Sequence, residues 1–354
     1  MAEKVLMKGN EALAEAAIRA GCRHFFGYPI TPQTEVSAYM AKKMPKIGGV
    51  FLQAESEVAA INMVYGAGGA GARVMTSSSS PGISLKQEGI SYIAGADVPC
   101  VIVNIVRGGP GLGGIQPAQS DYYQAVKGGG HGDYHLVVLA PSSIQEMVDL
   151  TADAFDIGDR YRCPVMIMGD GMLGQMMEPV VFKDTDTSNL PEKPWATTGT
   201  KMERKKNIIN SLFIEPKDLE DLVIERQKKY DEIAKNEVRY EAIDVEDADI
   251  VLVAYGTTSR IAKTAMAKAK EKGLKVGIIR PITLWPFPYE AFEKALNRKK
   301  DFLVVEMSTG QMVDDVKIAV NGRSDVHFYG RTGGIVPTPN EILAKIEEIA
   351  GGVK

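Results

Sequence analysis

The sequence predicts an α/β protein: a parallel sheet with helices on both faces, followed by a second, smaller α/β domain. Two observations carry this. Apolar runs of strand length alternate with stretches of helical periodicity from Asn10 to about Met168, and the alternation resumes after Ala248. The segment between them is first polar and proline-containing, then strongly charged, with no strand pattern. The expected division is a first domain over 1–180, an extended connector with a charged helix over 181–247, and a C-terminal domain over 248–354.

In the first domain the strands are HFFGY (24–28), GGVFLQ (48–53), ARVMTS (72–77), PCVIVNIV (99–106), HLVVLA (135–140) and CPVMIM (163–168). Helical patterns fall near 33–43, 56–67, 81–94, 118–126 and 142–157. Pro32 suits the start of the first helix, because a first turn has no use for the missing N–H. Val36, Met40 and Ala41 then supply apolar positions, with Lys42 and Lys43 polar. The connector opens as DTDTSNLPEKPWATTGTK and continues as DLEDLVIERQKKYDEIAKNEVRYEA, where Leu222, Ile224, Tyr230 and Ile233 form a modest apolar stripe. A helix packed on a neighbour and a solvated charged helix both fit that pattern. The second domain has about four strands, DIVLVAYG, KVGIIRPI, DFLVVEM and VHFYG. Its helices run to about Lys272, near 289–298, near 311–320 and from Pro339.

Composition excludes several functions. A net charge of -4 without a long basic block gives little support to nucleic-acid binding. The longest apolar runs, such as DVPCVIVNIV, are strand-sized, so no membrane insertion is expected. MAEKVLMKGNEALAEAA lacks the pattern of a signal peptide, which makes the cytoplasm the expected location. Cys22, Cys100 and Cys163 form no CxxC pair, so no iron-sulfur cluster is expected in this chain, and they read as small buried hydrophobes. The four histidines lack ligand spacing, and no metal site is expected.

In an open parallel sheet, ligands bind beyond the carboxyl ends of the strands. Four unusual segments fall at that edge: YPITP, QAESE, TSSSSPG and RGGPGLGGIQPAQSD follow the first four strands. They are expected to converge on one rim. Pro29 and Pro32 stiffen the turn that holds Thr31, whose hydroxyl either caps a helix or faces a ligand. Glu55 and Glu57 open a helix of small and apolar residues. Exposed, they contribute less than about 1 kcal/mol at a helix N-terminus; desolvated, one of them would share a proton with a partner. The sequence does not choose between the two. TSSSSPG is either a polar pocket at a helix start or a serine-rich cap. Arg107 enters a loop with five glycines between Gly108 and Gly114, a sequence suited to a lid. Its guanidinium suits a small acid, with a structural salt bridge as the rival.

Two motifs mislead. GAGGAG (66–71) fits GxGxxG but ends a helix and leads into a strand, the reverse of the dinucleotide-binding order. GDG (169–171) resembles the start of the motif that holds magnesium and diphosphate in thiamine enzymes, yet no double asparagine follows it. The methionines from Met166 to Met177 read as adaptable packing or a partner surface, as does the connector helix.

With these residues in place, nearly the whole chain resembles the alpha subunit of 2-oxoacid:ferredoxin oxidoreductases. GYPITPQTE, ESEVAAINMVYGAGGAGARVMTSSSSPG, VNIVRGGPG, QPAQSD and GGHGDYH occur in the family's order, followed by IRPITLWPFP and EMSTGQM. The branched-chain type, acting on 2-oxoisovalerate, is the nearest in likeness. The resemblance implies a thiamine-diphosphate-binding fold with its pyrimidine-binding domain first and a transketolase C-terminal-like domain second. It implies oxidative decarboxylation of a 2-oxoacid to acyl-CoA and carbon dioxide, with electrons passed to ferredoxin. Glu57 would bond the ring nitrogen of the aminopyrimidine, and Thr31 and Arg107 would receive the 2-oxoacid. Tyr28, Pro29, Ile30, Ser78 and Ser79 would border the cofactor.

Partners are implied as well. A thiamine-binding beta subunit would hold the diphosphate and its Mg2+, gamma and ferredoxin-like delta subunits would complete the assembly, and the iron-sulfur clusters would lie in the partner subunits. Coenzyme A would be the cosubstrate, and the whole a dimer of hetero-oligomers. The loop after Arg107 offers no second cation, which favours an apolar substrate side chain over 2-oxoglutarate. The same reaction on 2-oxoglutarate or pyruvate, and a non-catalytic scaffold subunit, are the alternatives.

Overall fold

The computed structural model describes residues 4–183 and 190–351. The chain begins with β1 (Val5–Lys8), α1 (Gly9–Arg19), β2 (His24–Gly27), α2 (Thr34–Lys43), β3 (Val50–Gln53), α3 (Glu57–Gly69), β4 (Val74–Ser78) and α4 (Pro81–Gly95). It continues through β5 (Cys100–Val106), α5 (Tyr122–Val126), β6 (Val137–Leu139), α6 (Ile144–Tyr161), β7 (Pro164–Asp170), α7 (Gly171–Gln175) and β8 (Met177–Val180). Then follow α8 (Pro216–Asn236), β9 (Tyr240–Ile243), β10 (Ile250–Val253), α9 (Gly256–Glu271), β11 (Val276–Pro281) and β12 (Thr283–Trp285). The chain closes with α10 (Tyr289–Ala295), β13 (Asp301–Glu306), α11 (Met312–Val320), β14 (Val326–Gly330) and α12 (Pro339–Ala350).

The larger sheet has the order β12-β6-β7-β5-β4-β2-β3. Its members β2 to β7 are parallel, while β12 joins β6 antiparallel. Every residue of the central strands β5 and β7 is buried, as expected of strands covered by helices on both faces. The four loops of interest therefore leave the same edge of this sheet. The smaller sheet runs β14-β13-β10-β11-β9, with five strands where about four were expected. The additional strand, β9, lies in the segment read as connector; it is four residues long and follows a charged helix, so its pattern is masked.

KVGIIRPI has the pattern of one strand, but the chain leaves β11 at Pro281 and crosses as β12 to the larger sheet. The short pair β1 and β8 has no counterpart in the sequence reading. The helix expected near 118–126 forms only at Tyr122–Val126. The residues before it are taken up by the second domain: Gln119 donates its backbone N–H to Met307 O at 2.8 Å and its side-chain amide to Tyr255 O at 2.9 Å, and accepts from Met307 N at 3.0 Å.

Helix α8 settles the open choice about the connector, because it packs. Tyr230 and Ile233 are buried, as is Arg226, which donates to Gly95 O at 2.9 Å and pairs with Asp97. Ile224, placed in the apolar stripe, is 49% exposed. The start of the connector at 184–189 lies outside the described residues. Among the methionines, Met166 and Met168 are core while Met172 and Met177 are exposed. The three cysteines are free and buried, and burial pushes the Cys22 thiol up to about 12. No helix among the described residues is long and apolar enough to cross a membrane.

Arg280 on β11 fixes one domain against the other. Its guanidinium grips Glu146 of α6 with two bonds of 2.8 Å and Glu241 of β9 at 2.9 Å. Breaking such a buried pair leaves carboxylates without their partner. Arg280→Met is expected to destabilise the fold by about 3 kcal/mol, read as a lower midpoint in urea unfolding.

Candidate active site

The turn after β2 places Thr31 at the surface, with Tyr28 and Pro29 exposed and Ile30 half-buried. Gln33, which the sequence reading passed over, ties this turn to the sheet. It is fully buried; its backbone N–H donates to Ile30 O at 3.2 Å, its side-chain amide donates to Tyr28 O at 3.3 Å, and its side-chain oxygen accepts from Ser77 of β4. The Thr31 carbonyl accepts from Arg107 Nη1 at 2.8 Å, and Leu112 O accepts from Nη2 at 3.0 Å. Arg107 is 6% exposed and makes no ion pair among the described residues, while its buried Nε has no partner. The rival salt bridge is thus not observed among the described residues; the guanidinium instead holds the Thr31 and Leu112 carbonyls.

The glycine loop is pinned at its base. Gly108 N–H donates to Gln116 O at 3.0 Å and Gly114 N–H to Gly108 O at 2.9 Å, leaving Leu112 84% exposed at the tip. Gly334, at φ +91°, lets the second domain close on this loop, since a Cβ there would lie 2.2 Å from Gln116 Cβ.

The two glutamates of QAESE part company. Glu55 is exposed, whereas Glu57 is 5% exposed at the first turn of α3, where Ser56 caps the helix by accepting from Ala59 N at 3.2 Å. The Glu57 carboxylate rests against the start of α4: a Cβ built on Gly82 would sit 2.6 Å from its Oε1 and 2.1 Å from Ser78 Oγ. Ser78 and Ser79 are fully buried and their hydroxyls lack partners among the described residues. Ser80 follows at φ +20°, an unusual backbone for a residue with a side chain. It is held by Asn104 Oδ1, which accepts from its N–H at 3.2 Å, and by Arg107, whose N–H donates to Ser80 Oγ at 3.1 Å. Asn104 in turn donates to Asp121 at 3.0 Å, and burial raises the Asp121 carboxyl above its usual range.

One network therefore joins Thr31, Arg107 and the serine turn. Glu57 belongs with Ser78 and Gly82 at the next strand ends, and no hydrogen bond among the described residues links it directly to Thr31 or Arg107. Two clefts open beside these groups. One of about 650 Å³ is lined by Thr31, Glu35, Ile115, Met172, Met176 and Val336, among others. A larger one of about 1050 Å³ lies between the domains, with Ser80, Asp121, Met307 and Gln311 in its wall. Gln33, Asn104 and Asp121 escaped the sequence reading because each lies in an apolar strand, a turn or an expected helix, where isolated polar residues carry no signal.

At this strand end stand a buried carboxylate, two buried hydroxyls without partners among the described residues, and Gly82, whose missing side chain lets the carboxylate and Ser78 pack against the start of α4. Asp170 of GDG is otherwise engaged, accepting from Met172 N at 2.9 Å and Leu173 N at 3.1 Å as the cap of α7.

Comparison with known proteins identifies the family and the fold. The family described as "Pyruvate flavodoxin/ferredoxin oxidoreductase, thiamine diP-bdg" matches residues 15–245, and "Pyruvate:ferredoxin oxidoreductase core domain II" matches 248–342. A ketoisovalerate oxidoreductase subunit VorB from Methanothermobacter marburgensis is 52% identical, over 98% of each chain. A 2-oxoglutarate synthase subunit KorA from Methanothermobacter thermautotrophicus is 37% identical, over 98% of this chain and 99% of its own. A solved 2-oxoglutarate:ferredoxin oxidoreductase from Magnetococcus marinus, with 2-oxoglutarate, coenzyme A and succinyl-CoA bound, superposes with TM-score 0.85 at 27% identity. The match covers 98% of this chain and 65% of that one, so this chain spans about two thirds of its length. The expected thiamine-diphosphate-binding α/β fold is the observed one, and the chain belongs to the 2-oxoacid:ferredoxin oxidoreductase family.

Proposed function

We propose that this chain is the alpha-type subunit of an enzyme that oxidatively decarboxylates a branched-chain 2-oxoacid, 2-oxoisovalerate, to acyl-CoA and carbon dioxide. Electrons pass to ferredoxin. Thiamine diphosphate, when bound, supplies the nucleophilic carbon and the electron sink. Glu57 would exchange a proton with the ring nitrogen from its buried place against Gly82, with Ser78, Ser79, Tyr28, Pro29 and Ile30 bordering the cofactor. Thr31 and Arg107 orient the 2-oxoacid and favour charge on its oxygens, at a typical contribution of about 3 kcal/mol per donor. A thiamine-binding beta subunit shares the site and holds the diphosphate and Mg2+. Gamma and delta subunits carry the iron-sulfur clusters, and the assembly is a dimer of hetero-oligomers. This division of labour is supported by the engagement of Asp170 in capping α7 and the lack of a CxxC pair in the chain.

The observation that carries the substrate choice is the lining of the Thr31 cleft. Ile115, Met172, Met176 and Val336 are apolar, no lysine or arginine lines it, Arg107 standing behind the Thr31 carbonyl rather than in the wall, and its one acid is Glu35. Burial opposes ionisation of Glu35, but donors from Asn10 and Gln175 and the charge of Lys8 outweigh it and bring the carboxyl below its usual range. A second substrate carboxylate would meet that anion. The greater likeness to a ketoisovalerate oxidoreductase subunit than to a 2-oxoglutarate synthase subunit points the same way. In the purified complex, with coenzyme A and a viologen acceptor, kcat/KM for 2-oxoisovalerate is expected to exceed that for 2-oxoglutarate by at least about 100-fold, roughly 2.7 kcal/mol of discrimination. Equal turnover of the two acids would overturn the assignment.

A further inference from the structure

Lys86 is the largest charged side chain with no exposure at all, and neither the sequence motifs nor the proposed chemistry account for it. It lies on α4 one turn beyond Gly82, on the face that meets α3 and β4. Its Nζ donates to Thr76 Oγ1 at 2.7 Å and to Ser77 O at 3.1 Å, the two residues that lead into Ser78. No carboxylate pairs with it directly among the described residues. An ammonium has three hydrogens to place and this site offers two acceptors, so the geometry serves a neutral amine about as well as a charged one. Burial brings the amine down to about 7, against which the Glu57 carboxylate acts to keep it charged. The Glu57 carboxylate reaches the same stretch of α4 from α3, its Oε1 lying 2.6 Å from where a Cβ on Gly82 would stand, one turn before Lys86; the other titratable group beside the amine is the Cys100 thiol on β5. Burial and the neighbouring Cys163 hold that thiol far above its usual range, so it stays protonated and neutral.

A buried lysine carries a high desolvation cost, and a leucine or methionine would fill the same volume without it. What a lysine adds here is a charge that responds to the state of Glu57. We infer that Lys86 is a positioning residue coupled to Glu57: it anchors the Thr76–Ser78 turn, and it gains or releases a proton as a ligand engages the Glu57 carboxylate. The inference rests on the proposed role of Glu57 toward the aminopyrimidine. A ligand that takes up the charge of the Glu57 carboxylate removes what keeps the buried amine charged, so its binding is felt as proton release at Lys86.

The test is made on the assembled complex freed of cofactor and titrated calorimetrically with thiamine diphosphate and Mg2+ near pH 7, in buffers of different ionisation heat. The wild type is expected to exchange at least a few tenths of a proton more than Lys86→Met and Lys86→Gln. Equal proton counts in all three would overturn the inference. Glutamine keeps a donor for Thr76 but no charge; a wild-type count in Lys86→Gln with a loss only in Lys86→Met would reduce Lys86 to hydrogen bonding and also overturn it. Glu57→Gln, run alongside, separates the two levels of the argument. If its turnover is unchanged, the reading of the site falls and Lys86 with it; if its turnover is lost while the proton counts agree, only the coupling fails.

Discussion

Glu57→Ala in the assembled enzyme is expected to lower kcat by about 10²–10⁴, the range that a positioned proton-transfer group contributes. The chain should remain folded, because the Glu57 carboxylate makes no hydrogen bond or ion pair among the described residues. The loss therefore belongs to chemistry rather than to architecture. Glu57→Gln sharpens the point: the amide keeps the shape of the carboxyl group against Gly82 but does not share a proton in the same way, so its loss should approach that of alanine. Thr31→Ala provides the second arm, since it removes a hydroxyl from the cleft while the Arg107 bond goes to the backbone carbonyl and survives. Steady-state turnover with 2-oxoisovalerate, coenzyme A and a viologen acceptor is the readout, with thermal melting as the check on folding. Unchanged rates in both Glu57→Ala and Thr31→Ala would make this chain a scaffold.

Much of the fold is legible in the sequence because most of its strands are apolar runs of three to seven residues separated by periodic helices. The strands that escape are the short ones whose meaning is tertiary. Nothing in IRPITLW announces that the chain changes sheets after Pro281, since a strand's period of two is the same whichever neighbour it pairs with. Tyr240–Ile243 and Val5–Lys8 are four-residue strands beside charged segments, too short to register against them.

The site shows the same division. Thr31 stands out between prolines and Arg107 before glycines, because local backbone constraints are written locally. The choice of Glu57 over Glu55 depends on which residue the α3–α4 contact covers, and that contact is between segments far apart in the chain. Lys86 is the extreme case. In GISLKQEGI it reads as the polar face of an amphipathic helix, yet it is fully buried while Leu85 beside it is 55% exposed. Ile83, Ile90 and Ile93 of the same helix are buried as their apolar character predicts, so the departure is local to Leu85 and Lys86.

Gly82→Ala is expected to affect the same niche from its other wall. Alanine suits a helix better than glycine by about 1 kcal/mol, so local propensity predicts a small gain in stability. Sterics predict the opposite for the site, because the new methyl would lie 2.1 Å from Ser78 Oγ and 2.6 Å from Glu57 Oε1. Ser78 is fully buried at the end of β4 and has little room to move, whereas the Glu57 carboxylate is the end of a flexible side chain. The carboxylate is therefore the group that yields. Overpacking of this kind costs about 1–3 kcal/mol, and a displacement of about 1 Å in a catalytic group lowers rate by about 100-fold. We expect near-normal melting, at least tenfold weaker binding of thiamine diphosphate and about a 100-fold drop in kcat. The pair Gly82→Ala with Ser78→Gly discriminates further: removing the serine side chain takes away the closest contact, and part of the lost affinity should return as a non-additive term of about 1 kcal/mol. Wild-type affinity and rate in Gly82→Ala alone would mean that the cofactor ring does not use the niche between α3 and α4, and the assignment of Glu57 would have to be abandoned.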